Sequence, residues 1–278
     1  QMCIRDSNTR IYRPGIWALN PYLNDADPSY ISRGNPELDS EKSHAFNLSY
    51  SNFIQKFNVN ISARYSFTNN SIENVTRLMP DTEIEGLKNP TGKDVLYSTY
   101  ANIGKTRYAS VNGYVNWNAT SRTRIYMNMS GNYSYLEGGE GMRNDGWSLF
   151  AYGGAQHTLP HDWRISMNVF GQTPWIMLQG KGSSFFYYGV SVNKSFLNKR
   201  LTLSAFASNF FKKYMNQSST TEGSGFVRES NYKYSRQRFG VSVSYRIGEL
   251  KASVKKAART ISNDDVKSGG GDSVGGGE

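Results

Sequence analysis

Along most of this chain apolar and polar side chains alternate with a period of two, the spacing of a strand whose successive residues point to opposite faces. Phe46, Leu48 and Tyr50 alternate with Asn47, Ser49 and Ser51, and Val59, Ile61, Ala63, Tyr65 and Phe67 alternate with Asn58, Asn60, Ser62, Arg64 and Ser66. Val111, Gly113, Val115 and Trp117 are set against Asn112, Tyr114, Asn116 and Asn118. Ile125, Met127, Met129, Gly131, Tyr133 and Tyr135 are set against Asn128, Ser130, Asn132 and Ser134. The series continues through Ile165, Met167 and Val169, then Tyr188, Val190 and Val192, then Leu201, Leu203, Ala205 and Ala207. It closes with Phe239, Val241, Val243, Tyr245 and Ile247 against Arg238, Gly240, Ser242, Ser244, Arg246 and Gly248. Only the stretch from Trp147 to Leu159 has no legible phase.

These segments amount to about nine strands, many long enough to supply the ~9–11 tilted residues that cross a bilayer. One row of each can face hydrocarbon while the other faces water, which is the pattern of an outer-membrane barrel. The predicted fold is therefore all-β: the C-terminal portion, about nine strands, of a larger transmembrane antiparallel up-and-down β-barrel.

Composition sharpens this picture. Tyr (19), Phe (14) and Trp (5) are abundant although the mean hydropathy is −0.60, as expected when rings crowd one strand face and small polar residues fill the other. No apolar run approaches the ~18 residues of a membrane helix, and a barrel needs none. The rings concentrate near strand ends, at the level of lipid headgroups. Tyr133, Tyr135, Trp175, Phe185, Phe186, Phe210, Phe211 and Tyr214 are expected in one girdle, and Phe53, Phe57, Trp117, Trp163 and Phe196 in the other. A soluble β-sandwich is the competing reading, but it would hold its largest rings in mid-strand.

Connections fall into two classes. Residues 54–56, 119–123, 160–162 and 197–200 are short turns; 78–94, 137–145, 179–183 and 216–228 are longer and rich in Gly, Asn and Asp. Short turns belong in the periplasm and long loops outside the cell. Residues 11–41 then become an extracellular loop, and the tail after Gly248 is periplasmic. An odd number of crossings implies upstream strands that this chain lacks. Residues 1–7 resemble a translated sequencing-adapter scar and are set aside; 8–248 is the barrel segment and 249–278 the tail.

The formal charge of +10 raises nucleic acid as a partner. The cations are scattered singly, however: Arg64, Arg238 and Arg246 on the polar row, and Lys56, Arg122, Lys199 and Arg200 in or beside turns. A wet lumen and an anionic membrane surface suit them better, so no nucleic acid is expected. Lys251, Lys255, Lys256 and Arg259 suggest a short amphipathic helix, and the Gly-rich end from Ser268 a disordered tail. The single cysteine, Cys3, rules out an internal disulfide framework.

Candidate chemistry is sparse. His44, His157 and His161 lack the spacing of a helical zinc motif. Asp25, Asp27, Glu37, Asp39 and Glu41 make the first loop acidic without the ligand spacing of a calcium hand. Gly138 to Gly141 and Gly180 to Ser183 have no strand-to-helix context for phosphate. No enzyme, no cofactor and no metal are expected, and no substrate-binding residue is assigned.

Arg13-Pro14-Gly15, Leu19-Asn20-Pro21-Tyr22, Gly34-Asn35-Pro36-Glu37-Leu38 and Glu41 carry a resemblance, together with Tyr100-Ala101-Asn102-Ile103-Gly104 and the ending Ser244-Tyr245-Arg246-Ile247-Gly248. From about Asn8 onward the chain resembles the C-terminal barrel region of TonB-dependent outer-membrane receptors, and most of all the outer membrane protein beta-barrel family of Bacteroidetes. The resemblance implies a barrel closed around an N-terminal plug and energised through the TonB system, importing a scarce nutrient such as a metal chelate, cobalamin or a glycan. Implied partners are outer-membrane lipid, the missing plug and upstream strands, the TonB system and, as an open question, a surface lipoprotein. Gly34-Asn35-Pro36 is expected to act structurally, as a turn former. A non-transporting structural or adhesive barrel and a soluble carbohydrate-binding module stand as alternatives.

Overall fold

The computed structural model describes residues 2–247 and 266–267. The basic cluster around Lys251 to Arg259 and the Gly-rich end lie outside the described residues. β1 (Met2–Pro14) leads into one helical turn, α1 (Ile16–Leu19), and a small hairpin of β2 (Asn24–Asp27) and β3 (Tyr30–Ser32). A meander follows through β4 (Glu41–Ile54), β5 (Phe57–Pro80), β6 (Asp94–Trp117), β7 (Thr123–Glu137), β8 (Arg143–Leu159) and β9 (Trp163–Gln172). The short strands β10 (Ile176–Met177) and β11 (Gly180–Lys181) precede β12 (Phe185–Phe196) and β13 (Leu201–Ser208). A hairpin of β14 (Tyr214–Gly223) and β15 (Phe226–Ser235) comes before β16 (Arg238–Tyr245), and a two-residue strand, β17 (Val266–Lys267), runs parallel to the end of β1.

The wall is one sheet of ten antiparallel strands in the order β16-β13-β12-β9-β8-β7-β6-β5-β4-β1. That is one strand beyond the sequence expectation, and the addition is β1. Residues 2–7, set aside from the fold above, pair with β4 from Met2 opposite Ser51 to Ser7 opposite Phe46. Their register places Arg5 and Ser7 in the row of Leu48 and Phe46, so this stretch sets polar groups among lipid-facing ones. β1 and β16 do not pair with each other, and the described wall is an open sheet.

Cross-strand registers put the two rows where the alternation requires. Phe46 opposes Tyr65, Ala63 opposes Val111, Val111 opposes Gly131 and Val115 opposes Met127. Val190 opposes Met167 and Ala207, and Ala205 opposes Val241. This apolar row faces outward: Val111, Met129 and Val241 are 58%, 50% and 78% exposed. The polar row turns inward, with Ser66, Asn116 and Ser134 at 8%, 9% and 6%. A continuous apolar surface of this extent marks contact with another phase, here hydrocarbon.

The segment without legible phase resolves through its partners. Trp147 opposes Tyr133, Leu149 opposes Gly131 and Ala151 opposes Met129, which puts Trp147, Leu149 and Ala151 on the outer row. The phase was hidden because the inner row there also carries rings, Phe150 and Tyr152, while Gly153 and Gly154 offer no side chain to read.

Two girdle assignments within the wall strands need correction. Phe185 opposes Gln172 at a position of inner-row register, and its ring meets that of Phe170 edge-on at 5.1 Å. Neighbouring residues of a strand cannot share a face, and Phe186 holds the outer position. Phe53 fails for the same reason, lying in the phase opposite to Ile54 and Phe57. Phe57 and Trp117 do stack, 5.4 Å apart and 3° from parallel, and Lys194 sits over both Trp163 (5.4 Å) and Phe196 (5.3 Å) at the same end of the wall.

Candidate functional site

β5 and β6 hold 24 residues each, far more than a bilayer needs. Pairing of β5 with β4 stops at Thr68, and pairing of β6 with β7 stops at Lys105. A bulge between Thr68 and Ser71 falls at the same level. Beyond it the β5–β6 hairpin continues as a free ribbon with two open edges, and unpaired edge groups demand partners.

Segments distant in sequence supply them. β3 pairs in parallel with β6 from Tyr30 opposite Leu96 to Ser32 opposite Ser98, and the Arg33 N–H donates to the Ser98 carbonyl (3.0 Å). The Asn35 side-chain amide donates to the Tyr100 carbonyl (3.0 Å), and the Asp39 N–H donates to Asn102 Oδ1 (2.8 Å). Two motifs singled out separately in the sequence, Gly34-Asn35-Pro36 and Tyr100-Ala101-Asn102, therefore meet in space. The Gly34 N–H donates to the Asn20 carbonyl (2.9 Å) and the Asn35 N–H to the Ala18 carbonyl (2.6 Å). A Cβ on Gly34 would lie 2.5 Å from the Asn20 oxygen, so only glycine permits this crossing. Ala18, Leu38 and Ile72 pack beneath it as a small core, and Ile31, Ile84 and Val95 form a second.

On the β5 edge the partner is Gln179. Its side-chain amide donates to the Thr76 carbonyl (2.9 Å) and its Oε1 accepts from the Thr76 N–H (2.7 Å), replacing a strand neighbour. Gln179 sits in the turn between β10 and β11, which Asn144 fixes from β8 by donating to the Met177 (2.8 Å) and Gly180 (2.9 Å) carbonyls. β11 then pairs with β14, and the four strands β10, β11, β14 and β15 make a second small sheet. The expectation of plain loops at 179–183 and 216–228 is corrected: they are parts of this sheet. Arg228 on β15 reaches back to the first loop, its guanidinium 3.8 Å from the centre of the Tyr30 ring.

Ribbon, first loop and small sheet together border a half-open chamber of about 610 Å³. Rings line it from every side: Tyr30 and Tyr100, Tyr108 of the inner row, Trp175 and Tyr232. Between them stand the neutral groups of Asn74, Gln179, Ser219 and Thr221, with one acid, Glu73, and one base, Arg228. The size and the mix of aromatic walls with a few polar groups match a small-molecule site. Trp175, assigned above to a girdle, lines this chamber. A larger hollow of about 870 Å³ lies against Phe46, Leu48, Tyr65 and Val111, side chains of the outer row, and so faces the bilayer.

The first loop contributes Ala18 and Tyr30. The 78–94 connection does not line the chamber. It is closed on itself by Asp81, whose carboxylate accepts from the Thr91 N–H (2.6 Å), the Thr91 hydroxyl (2.8 Å) and the Gly92 N–H (2.7 Å). The bond from the Thr91 N–H holds the Asp81 carboxyl below the usual carboxylate range. Asp27 is likewise lowered, first by the Ser29 hydroxyl and more weakly by the charge of Arg228. The remaining candidates are dispersed: His44 bonds Thr9 (2.9 Å), His157 bonds Thr123 (2.8 Å), His161 occupies a turn with φ of 59°, and the buried Glu41 accepts from the Ile72 N–H. Nothing in the alternation pointed to Trp175, Gln179, Arg228 or Tyr232, because register between remote segments is not written in local periodicity.

Among solved structures the chain is similar to the copper transporter OprC, with a TM-score of 0.57 at 12% identity, covering 87% of this chain and 37% of that one. This likeness is one of fold, and the chain spans little more than a third of that relative. No curated protein matches it in sequence. The family model described as the outer membrane protein beta-barrel family matches residues 4–245, and the chain belongs to that family.

Proposed function

We propose that this chain forms wall and outer mouth of a TonB-dependent outer-membrane transporter that imports a nutrient into the periplasm, and that it works without catalysis. The observation that carries this reading is the roofed chamber above a polar-lined wall. A structural barrel has no need to place five rings and a set of amides and hydroxyls around a volume of small-molecule size. OprC supports the transporter class through its fold; its cargo is not carried over.

In this reading the ends of the wall joined by short turns, such as 160–162, face the periplasm, and the chamber opens to the outside. Inner-row asparagines and serines line the plug-filled path, and backbone groups pair across strands because lipid offers them nothing. Plug, upstream strands and TonB contact belong to the complete protein, and a surface lipoprotein would dock over the long-loop end. The test is energy-dependent uptake by cells carrying the complete gene, compared with a Trp175→Ala, Tyr232→Ala variant. Loss of uptake in the variant, with normal surface levels, supports the proposal. Unchanged uptake of every nutrient that the wild type imports refutes the chamber as its site.

A further inference from the structure

A third cavity has a different character. About 480 Å³ in volume, it lies on the outward face near the long-loop end of β8, β9, β12 and β13. Leu149 and Ala151 of β8, Gly171 of β9, and Phe186 and Tyr188 of β12 give it an outer-row base, and Gln172, Thr173, Ser184 and Phe185 line it where these strands end. Ala151 opposes Gly171, and Gly171 opposes Phe186, so two small residues form the floor between larger walls. A Cβ on Gly171 would stand 3.5 Å from Phe186, in ordinary contact, so the floor is open by composition and not because the backbone forbids a side chain.

At its upper rim the groove is roofed by Asn209 and Lys212 of the turn after β13 and by Met215 and Asn216 at the start of β14. That turn is held rigidly: the Phe211 N–H donates to the Tyr188 hydroxyl (2.8 Å), and the Asn209 amide donates to the Arg236 carbonyl (3.2 Å). Lys213 and Lys233 approach the Tyr214 ring at 5.4 and 4.9 Å, so three lysines gather on this lip. No Asp or Glu occurs anywhere between Asp162 and Glu222, which leaves the groove and its rim without a carboxylate of their own. Nearby elements carry Asp145, bonded to the Tyr133 hydroxyl (2.8 Å), Glu229 on β15, opposite Thr220, and Glu222 at the far end of β14, opposite Val227.

We infer, on the orientation proposed above, that this groove is a lipid site: it holds an acyl chain of a phosphorylated lipid of the outer leaflet, with the phosphate at Lys212 and Lys213. The groove is continuous with the apolar outer row, so its occupant comes from the membrane. It ends at headgroup level under a cationic lip, so that occupant carries negative charge. A phosphorylated glycolipid, the anionic lipid of an outer leaflet, meets both conditions.

The experiment is native mass spectrometry of the complete protein purified in mild detergent, then titrated with lipid A or with phosphatidylglycerol. Wild type is expected to retain and rebind lipid A. Lys212→Gln with Lys213→Gln should weaken this about thirtyfold, from the attraction per cation near a charged surface. Gly171→Leu, which fills the floor, should abolish the adduct while the folded species keeps its electrophoretic mobility. Arg246→Gln, at the opposite end of the wall, should change nothing. Equal binding by wild type and the double lysine variant overturns the proposal, as does a wild type that carries no phosphorylated lipid. Equal exchange with phosphatidylglycerol overturns the assignment to the outer leaflet. If Gly171→Leu does not fold, the lysine variant decides alone.

Discussion

Adjacent residues on β6 give the sharpest test of which row meets lipid. Val111 lies near the middle of the stretch of β6 paired with both neighbours, in the outer row, and Asn112 lies next to it in the inner row, where its amide donates to Asn128 Oδ1 (3.0 Å). Val111→Arg places a guanidinium in hydrocarbon, which costs about 2–4 kcal/mol at the bilayer midplane. Asn112→Arg removes one hydrogen bond, worth about 1 kcal/mol, but leaves the new charge in water. The two neighbours should therefore differ by about 1–3 kcal/mol in unfolding free energy, measured by urea titration of the complete protein in vesicles. Depth adds a second requirement: an arginine at outer-row Trp117, beside the short turn, should lose less through its charge than one at Val111, because the penalty falls to about 0–1 kcal/mol near the interface. If Asn112→Arg proves as costly as Val111→Arg, or if the arginine penalty ignores depth, the outer row does not touch lipid and the membrane assignment of this face is wrong.

Three further outcomes follow from the mouth. Gly34→Val drives a side chain into the Asn20 and Ala18 carbonyls and should destabilise the 15–40 segment by about 1–3 kcal/mol, seen as faster proteolysis there with the wall intact. Gln179→Ala removes both bonds to Thr76 and should cost about 1–3 kcal/mol of local stability, read as increased hydrogen exchange at the Thr76 amide. Asp81, whose folded pKa is depressed, contributes loop order that is fully present above its ordinary value of about 3.9 and is lost as pH falls through the lower folded value; amides of Thr91 and Gly92 should lose protection in that window, and in Asp81→Asn that change should be absent.

How much was legible in the chain follows from what period-two patterning can and cannot encode. Val59 to Phe67 and Val111 to Trp117 showed their faces directly, because nearly all the residues between the apolar ones are Asn, Ser or Arg, Tyr114 being the exception. Where both rows carry rings the pattern loses contrast. Phe185 and Phe186 cannot be sorted by composition, only by their partners Gln172 and Gly171 across the sheet. The β14–β15 hairpin was invisible for the opposite reason: β14 runs Asn216, Gln217, Ser218, Ser219, Thr220 and Thr221 with no apolar row, and β15 carries its apolar residues only toward its ends, at Phe226, Val227, Tyr232 and Tyr234. Chamber residues such as Gln179 depend on pairing across a gap of 103 residues in sequence, which no local window contains.

The same physics that hides the chamber also explains why it exists. A ribbon of about 24 residues per strand, at about 3.3 Å per residue, must stand well clear of a ~25 Å hydrocarbon band. Its exposed edges would recruit foreign strands unless covered. Covering them with β3 and Asn35 on one side and Gln179 on the other bends both long connections over the lumen. Arg228 and Tyr30 then join the two covers directly. Edge protection and enclosure are thus one arrangement: a change that frees the β5 edge at Thr76 also unroofs the rings of Trp175 and Tyr232. Ligand affinity and local stability of the mouth should consequently fall together in Gln179→Ala. A variant that loosened Thr76 without altering uptake affinity would show that roof and edge are independent after all.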